Sequence, residues 1–103
     1  MTVAAENPGW VTFDLDGQRQ RLEALDGGEG LLWLIFRDAT SGVETYGACR
    51  YLYAPLLPDG QVDLDFNRAT SPPCAFTPFA TCPLPPAGNT LTIRIEAGEQ
   101  HEA

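Results

Sequence analysis

Two cysteines in a proline-rich stretch, Cys74 and Cys82, are the first candidates for chemistry in this chain. We favour the interpretation that they are buried, inert thiols, because free cysteine packs as a small hydrophobe. A disulfide that closes the loop is the second interpretation, since both cysteines lie in one excursion whose ends must converge. Metal binding is the third. The spacing is wider than that of a zinc knuckle, and the single histidine, His101, lies in the C-terminal tail.

The same histidine is the one available base for a cysteine nucleophile, so thiol catalysis has little support. Carboxylates are plentiful, but most of them alternate with apolar residues, as expected for the solvent-facing sides of strands. Glu96 and Glu99, near the C-terminus, are the acidic residues least explained in this way. The sequence therefore predicts no metal site and no cofactor, and it names no catalytic residue.

Polar residues also occur where predicted strands meet the proline-rich stretch. Tyr46 and Arg50 share one strand face at a spacing of four residues. Asn67 and Arg68 stand where the next strand ends, a common place for groups that contact a ligand. Two alternatives remain open: Asn67 shapes a turn, and Arg68 pairs with an acidic neighbour such as Asp65 or Glu96.

If the face of Tyr46 and Arg50 looks at the proline-rich stretch, these polar side chains line one pocket. Aromatic residues of the stretch would then supply its apolar walls. We predict a site for a small polar or anionic ligand. Its residues are Tyr46, Arg50, Asn67, Arg68, Cys74, Phe76, Phe79 and Cys82.

The proline-rich stretch itself runs from Leu64 to Pro86 and reads LDFNRATSPPCAFTPFATCPLPP. A loop of this length without regular structure is usually functional or disordered. Its apolar side chains argue against disorder, because they would be left in water. We expect them to fold the loop onto a sheet as a packed cover.

Composition sets limits on the class of protein. The chain has 103 residues, a hydrophobic content of 44% and a formal net charge of −8. These values are typical of one globular domain spanning residues 1–103, with termini frayed over about residues 1–9 and 98–103. Strong negative charge argues against nucleic acid and anionic membranes as partners.

Targeting signals are not visible in this sequence. The first residues lack a basic start followed by an apolar run, and the longest apolar run, Leu31 to Phe36, is far too short to span a membrane. We therefore expect a cytoplasmic protein, in which cysteines are more often free thiols than disulfides.

Alternation with a period of two recurs along the chain and predicts strands, whereas helical periodicity is nearly absent. Strands are expected at residues 11–15, 18–25, 31–37, 45–54, 62–66 and 91–95. Asp16-Gly17 predicts a hairpin turn, and residues 26–30 a glycine-rich turn. The run LLWLIFR, which starts at Leu31, is apolar on both faces and should be a central strand. The pattern predicts an all-β fold, either an antiparallel β-sandwich or a small barrel.

Four segments of the chain resemble a known family. They are FRDATSGVETYGACRYL at residues 36–52, LDFNRA at 64–69, PPCAFTPFATCPLPP at 72–86 and NTLTIRIEAGE at 89–99. Together they are similar to domain of unknown function 1684, a family of bacterial and archaeal proteins. Members of that family are usually longer, so the resemblance covers its C-terminal, motif-bearing portion, from about Val11 onward. They also usually carry a Tyr-Asn pair before the two prolines, where this chain has Thr70-Ser71.

The resemblance implies no activity, because the family has none established. We therefore interpret the chain as a small all-β module that binds a ligand at the proline-rich stretch. The alternative is a structural or protein-interaction domain acting as a homodimer, since an apolar strand with two faces leaves surface to be covered. A hydrolase using Glu96 or Glu99 ranks third.

Overall fold

The computed structural model describes residues 2–6, 9–43, 45–77 and 82–100. The described residues form seven strands in two antiparallel sheets. They are β1 (Thr2–Glu6), β2 (Trp10–Leu15), β3 (Gln18–Glu23), β4 (Leu25–Gly28), β5 (Leu31–Phe36), β6 (Arg50–Pro55) and β7 (Gln61–Asp63). The first sheet has the order β3-β2-β1-β7 and the second the order β4-β5-β6. The predicted all-β fold is confirmed as two packed sheets, and the described residues form no closed barrel.

The β2–β3 hairpin was predicted by its turn. Asp16 and Gly17 both have positive φ, 53° and 75°, as a two-residue turn of the type I′ class requires. The pairing runs from Leu15 opposite Gln18 to Trp10 opposite Glu23. Alternation sends Val11 and other apolar residues of the hairpin into the core and leaves the rest toward solvent.

The core lies between the two sheets. Buried residues of the first sheet meet those of the second, and residues of the segments after β7 fill the ends. The main buried cluster comprises Val3, Val11, Phe13, Leu22, Leu34, Phe36, Leu52, Ala54, Val62, Leu64, Phe66, Ala69, Leu91 and Ile95. The two apolar faces of β5 are thus both used: Leu34 and Phe36 enter this core, and Ile35 belongs to a smaller cluster on the other side.

Two strands were not expected from the sequence. β1 lies in the region predicted to fray, but it pairs with β2 on one side and with β7 on the other. β4 forms where a turn was predicted, with an irregularity of register between Asp26 and Gly28. Both strands are short, and β4 contains no β-branched residue, so pairing partners, rather than local propensity, define these strands.

Two predicted strands differ from the structure. The strand predicted at residues 45–54 begins only at Arg50, because Thr45 is tied back to Thr40 through its backbone N–H at 3.2 Å, which closes a tight loop. The strand predicted at 91–95 is wrong. That segment bends at residues 92 and 93 and runs parallel to the irregular residues 37–39, with one bridge between Arg37 and Thr90.

The C-terminal residues 98 and 99 were expected to fray, yet Glu99 is bonded. Its backbone N–H donates to the Ala69 carbonyl at 2.8 Å, and its carboxylate accepts from the Ser71 N–H at 3.1 Å. The end of the chain is thereby attached to the start of the proline-rich stretch.

Candidate functional site

The outer face of the second sheet, turned away from the main core, forms the floor of the candidate site. Ile35 of β5, Tyr51 of β6 and Cys49 just before β6 make a small buried cluster, and Trp33 packs against it. The rings of Trp33 and Tyr51 meet edge to face with their centroids 5.2 Å apart. The floor of the candidate site is therefore an apolar surface that includes the Cys49 thiol.

The proline-rich stretch lies along this floor. Thr70 exchanges two backbone hydrogen bonds of 2.8 Å with Tyr51, so the stretch begins as a short antiparallel neighbour of β6. A 3-10 turn follows at Pro73–Ala75. It presents the Cys74 backbone N–H to the Cys82 sulfur at 3.2 Å. The two cysteines, eight positions apart in sequence, are thus brought into contact.

Five titratable side chains meet here, and we call them the thiol cluster: Cys49, Cys74, Cys82, Tyr46 and Tyr51. The Tyr46 hydroxyl donates to the Cys74 carbonyl at 3.4 Å. The Cys74 and Tyr51 side chains lie close enough to the Cys82 thiol to lower its pKa. All three cysteines are free thiols, but only Cys49 is buried, whereas Cys74 and Cys82 are half-buried.

Hydrogen bonds separate the acidities of the three thiols. The bonds from the Cys74 side chain, the Cys74 N–H and Tyr51 stabilise a thiolate, so the pKa of Cys82 is lowered. Desolvation, followed by the hydrogen bond to Cys82, raises the pKa of Cys74. Burial raises the pKa of Cys49 to about 11. Cys82 is therefore the thiol that ionises most readily.

Both tyrosines of the cluster remain protonated at neutral pH. The hydrogen bond to Cys74 is the main cause that raises the pKa of Tyr46. Burial, with the hydrogen bond to Cys82, raises the pKa of Tyr51. The two phenols therefore keep their protons and can act as hydrogen-bond donors within the thiol cluster.

A groove of about 320 Å³ opens beside the thiol cluster, and we call it the Arg37 groove. Residues 84–88 wall it, and Arg37, Ala48 and Thr90 complete it. Backbone bonds to Asn89 and Leu91, of 2.9 and 2.8 Å, fix the main chain of Arg37 while its side chain stays exposed. Among the described residues, no side chain forms an ion pair or hydrogen bond with its guanidinium.

A second concavity, of about 370 Å³, lies on the outer face of the first sheet, between β1 and β2. Its cation, Arg19, is already paired with Asp14 at 3.1 Å, and both side chains are well exposed. The Arg37 groove is the better candidate site. Its cation has no such partner, and its charge reaches the thiol cluster, where it opposes the rise in the pKa of Cys49.

Arg50, predicted to line a ligand pocket, is instead buried beneath the C-terminal segment with 1% exposure. Its guanidinium donates to the carbonyls of Ile95 and Ala97, both at 2.7 Å, and lies 3.7 Å from the Asp38 carboxylate. Desolvation lowers the pKa of Arg50, and Asp38 opposes that effect. Arg50 and Tyr46 have different partners: the Arg50 guanidinium binds the C-terminal segment, whereas the Tyr46 hydroxyl donates to the Cys74 carbonyl.

Asn67 and Arg68 are exposed and lie apart from the thiol cluster. The Asn67 N–H donates to Asp65 at 3.0 Å within a 3-10 turn, Phe66–Arg68. Arg68 lies 3.7 Å from the Asp65 carboxylate and 4.0 Å from that of Asp63. The alternative roles predicted for both residues, turn formation and ion pairing, are the ones observed.

Two aromatic residues were predicted to wall the site. Phe76 is 68% exposed, and Phe79 lies outside the described residues. Sequence reasoning brought Tyr46, Cys74 and Cys82 into one site, and the structure does so as well. It missed Arg37, although a charge directly after the buried run LLWLIF was a visible signal.

The described residues contain no group of three or more His, Cys, Asp or Glu side chains placed to hold a metal ion. Within the same residues, no helix is both long and apolar enough to cross a membrane.

The chain was compared with known protein families and solved structures. Residues 1–100 match the model of a family described as protein of unknown function DUF1684. The chain belongs to this family. The expectation that only a C-terminal portion of DUF1684 is present was wrong, since the match includes β1 as well as the motif-bearing segments.

This DUF1684 chain is also similar to an uncharacterized protein of Haloarcula marismortui whose structure was solved by solution NMR. The identity is 39% and the TM-score 0.73, over 88% of this chain and 53% of the other. The DUF1684 chain therefore spans about half the length of that relative. The search of curated proteins found no match to this chain.

The segments that carry the DUF1684 resemblance converge at the site. Residues 36–52 supply Arg37 and Cys49, and residues 72–86 supply both remaining cysteines and most of the groove wall. Residues 89–99 supply Thr90 and the carbonyls that bind Arg50.

Proposed function

We propose that this chain is a binding module for a small organic anion with an apolar body, held in the Arg37 groove. The observation that carries the proposal is the exposed Arg37 guanidinium, which no described side chain pairs, at a concavity walled by residues 84–88. This deepens the expectation of a ligand at the proline-rich stretch and replaces Arg50 and Arg68 with Arg37 as the cation.

A carboxylate is the anion that suits the groove. A planar guanidinium binds the two oxygens of a carboxylate through parallel N–H donors. The Thr90 hydroxyl lies in the same groove and can donate a further bond. Leu84 is 76% exposed, and the apolar part of the ligand would cover it together with Pro85 and Pro86.

The net charge of −8 opposes the binding of an anion. Anions are repelled by the protein as a whole, so retention depends on the local contact with Arg37. Added salt screens both the repulsion at a distance and the exposed ion pair. The affinity should therefore depend on the identity of the residue at position 37 far more than on other arginines.

The test is a calorimetric titration of hexanoate, benzoate and succinate into the wild-type protein, Arg37→Gln and Arg19→Gln. Wild type and Arg19→Gln should bind the monocarboxylate equally, and Arg37→Gln should lose at least tenfold in affinity, about 1.4 kcal/mol. Leu84→Ala should weaken hexanoate more than it weakens succinate, because it removes apolar contact.

The matched control is Arg19→Gln, which removes an exposed arginine from the other concavity. Equal binding by wild type and Arg37→Gln, or loss of binding in Arg19→Gln, contradicts the proposal. Melting temperatures without ligand should be the same for all three proteins, because both arginines are exposed.

A second candidate function is a homodimer, and one observation favours it. Leu25, Trp33 and Tyr53 stand opposite one another across β4, β5 and β6 on the outer face of the second sheet. Leu25 is 38% and Tyr53 44% exposed, and the rings of Trp33 and Tyr53 stack with centroids 6.0 Å apart. Apolar rows of this kind are common at interfaces.

Sedimentation velocity of the wild type and Tyr53→Glu tests this candidate. A dimer that uses the row should become monomeric in Tyr53→Glu and persist in Val43→Glu, an exposed apolar position on a loop. A wild type that is monomeric at high concentration removes the candidate.

A further inference from the structure

We propose that Cys74 and Cys82 form a redox-active dithiol, which a low-molecular-weight disulfide converts into an intramolecular disulfide. This thiol-modification site is separate from the anion-binding function and does not depend on it. It rests on the contact of the Cys82 sulfur with the Cys74 backbone, on the partial exposure of both thiols and on the donors around Cys82.

The Cys82 sulfur already touches the backbone of Cys74 in the dithiol. It accepts from the Cys74 backbone N–H at 3.2 Å. Disulfide formation therefore requires rotation of side chains and little movement of the backbone. Prolines at 72, 73 and 83 flank the two cysteines and restrict the chain on both sides.

The two thiols are suited to different steps. Cys82 is stabilised as a thiolate by the Cys74 side chain, the Cys74 N–H and the Tyr51 hydroxyl, so its pKa is lowered. A thiolate is the attacking species in thiol–disulfide exchange. Cys74 keeps its proton more firmly, chiefly through desolvation, which suits a thiol that acts second.

Exchange proceeds in two balanced steps. The Cys82 thiolate attacks one sulfur of the small disulfide, which forms a mixed disulfide and releases one small thiolate. Cys74 then loses its proton and attacks the Cys82 sulfur, which forms the Cys74–Cys82 bond and releases the second small thiolate. The two released thiolates take up the protons of the two protein thiols, and two electrons pass from protein to reagent.

The second step becomes easier once the first has occurred. The negative charge of Cys82 is one of the causes that raise the pKa of Cys74, and the mixed disulfide removes that charge. The Tyr46 hydroxyl, which lowers the pKa of Cys74, remains in place as a donor.

Cys49 provides the internal control. It belongs to the same cluster but is only 1% exposed, and burial raises its pKa to about 11. A small disulfide neither reaches it nor finds it ionised. The proposal therefore requires that Cys49 remain a free thiol throughout.

The experiment uses the reduced 103-residue chain and cystamine, a small cationic disulfide that the negative protein does not repel. Mass spectrometry should show the loss of two hydrogens with no retained adduct, and peptide mapping should locate a Cys74–Cys82 bond. Cys74→Ser should stop at a cysteamine adduct on Cys82. Cys82→Ser should react at least tenfold more slowly, at Cys74, and Cys49→Ser should behave as the wild type.

Mapping of the wild type decides the matter even if a variant fails to fold. A disulfide that includes Cys49, a first adduct on Cys74, or a native protein that forms no disulfide while the urea-unfolded chain reacts would each overturn the proposal. Near-ultraviolet circular dichroism of each variant confirms that comparisons are made between folded proteins.

Discussion

The side chain of Asn89 pairs with both backbone groups of Glu23, as a neighbouring strand residue would. Its Oδ1 accepts from the Glu23 N–H at 2.8 Å, and its Nδ2 donates to the Glu23 carbonyl at 2.9 Å and to the Ile35 carbonyl at 3.0 Å. Because Glu23 ends β3 and Ile35 lies in β5, one fully buried amide links the two sheets. The same residue opens the segment that completes the Arg37 groove.

Replacement of Asn89 by alanine should therefore destabilise the protein. One buried and two partly buried backbone groups would lose their partner, and an unsatisfied buried group costs about 1–3 kcal/mol. We expect the free energy of unfolding to fall by about 3 kcal/mol, measured by urea denaturation. Asn67→Ala, at an exposed position, is the matched control and should change the value by less than about 0.5 kcal/mol. Equal effects of the two variants would contradict the linking role.

Arg50 should matter for stability rather than for ligand binding. Arg50→Met leaves the buried Asp38 carboxylate and two carbonyls without the guanidinium, so we expect a loss of about 3 kcal/mol in the free energy of unfolding. Arg94→Met removes an exposed arginine 3.3 Å from Glu96 and should cost less than about 1 kcal/mol.

A double-mutant cycle with Asp38→Asn checks the coupling of Asp38 to Arg50. The double variant should lose less stability than the sum of the two single variants. Each single variant leaves one buried charge without its partner, whereas the double variant leaves none. Strict additivity would show that the 3.7 Å contact carries no energy.

Gly98 has no room for a side chain. Its φ is +90°, and a Cβ there would lie 2.6 Å from the Phe66 carbonyl oxygen and 2.9 Å from the Ala69 Cβ. Gly60 has a similar φ of +79° but open space around it. Gly60→Ala should cost about 1 kcal/mol from backbone strain alone. Gly98→Ala should cost about 2 kcal/mol more, from overlap, in the same denaturation measurement.

Stability should fall with rising pH in a window set by Cys49. Its ordinary pKa of 9.0 is raised to about 11 in the folded state, so folding favours the protonated thiol. The stabilisation is complete below about pH 9, where both states are protonated. It is lost as the pH rises toward 11, because the unfolded chain gains stability by ionising.

Urea midpoints of the wild type and Cys49→Ser from pH 8 to 11 measure this effect. Tyr51 contributes with the same sign, since its pKa is also raised, but it is present in both proteins. A smaller fall in Cys49→Ser isolates the Cys49 contribution. Parallel curves would contradict it.

Much of the architecture could be predicted where one face of a strand is wet. Val11 and Phe13 alternate with polar residues, and the Asp16-Gly17 turn fixes their hairpin, so local signals suffice. β1 and β4 were not predicted, because their sequences show no clear alternation of polar and apolar residues and their pairing is non-local. The segment 91–95 alternates like a strand, but it follows the irregular residues 37–39, so the pattern predicted burial correctly and strand pairing wrongly.

The sequence by itself determined that this is an acidic all-β protein and that its proline-rich stretch packs two cysteines against a sheet, since those features follow from composition, alternation and spacing. Tertiary structure alone decided which arginine is buried and which is exposed. Arg37 directly follows the apolar strand β5, and Arg50 begins β6. The carbonyls of Ile95 and Ala97 cover Arg50, whereas Arg37 lies at the open groove walled by residues 84–88. Long-range backbone contacts made that choice, and local sequence does not encode them.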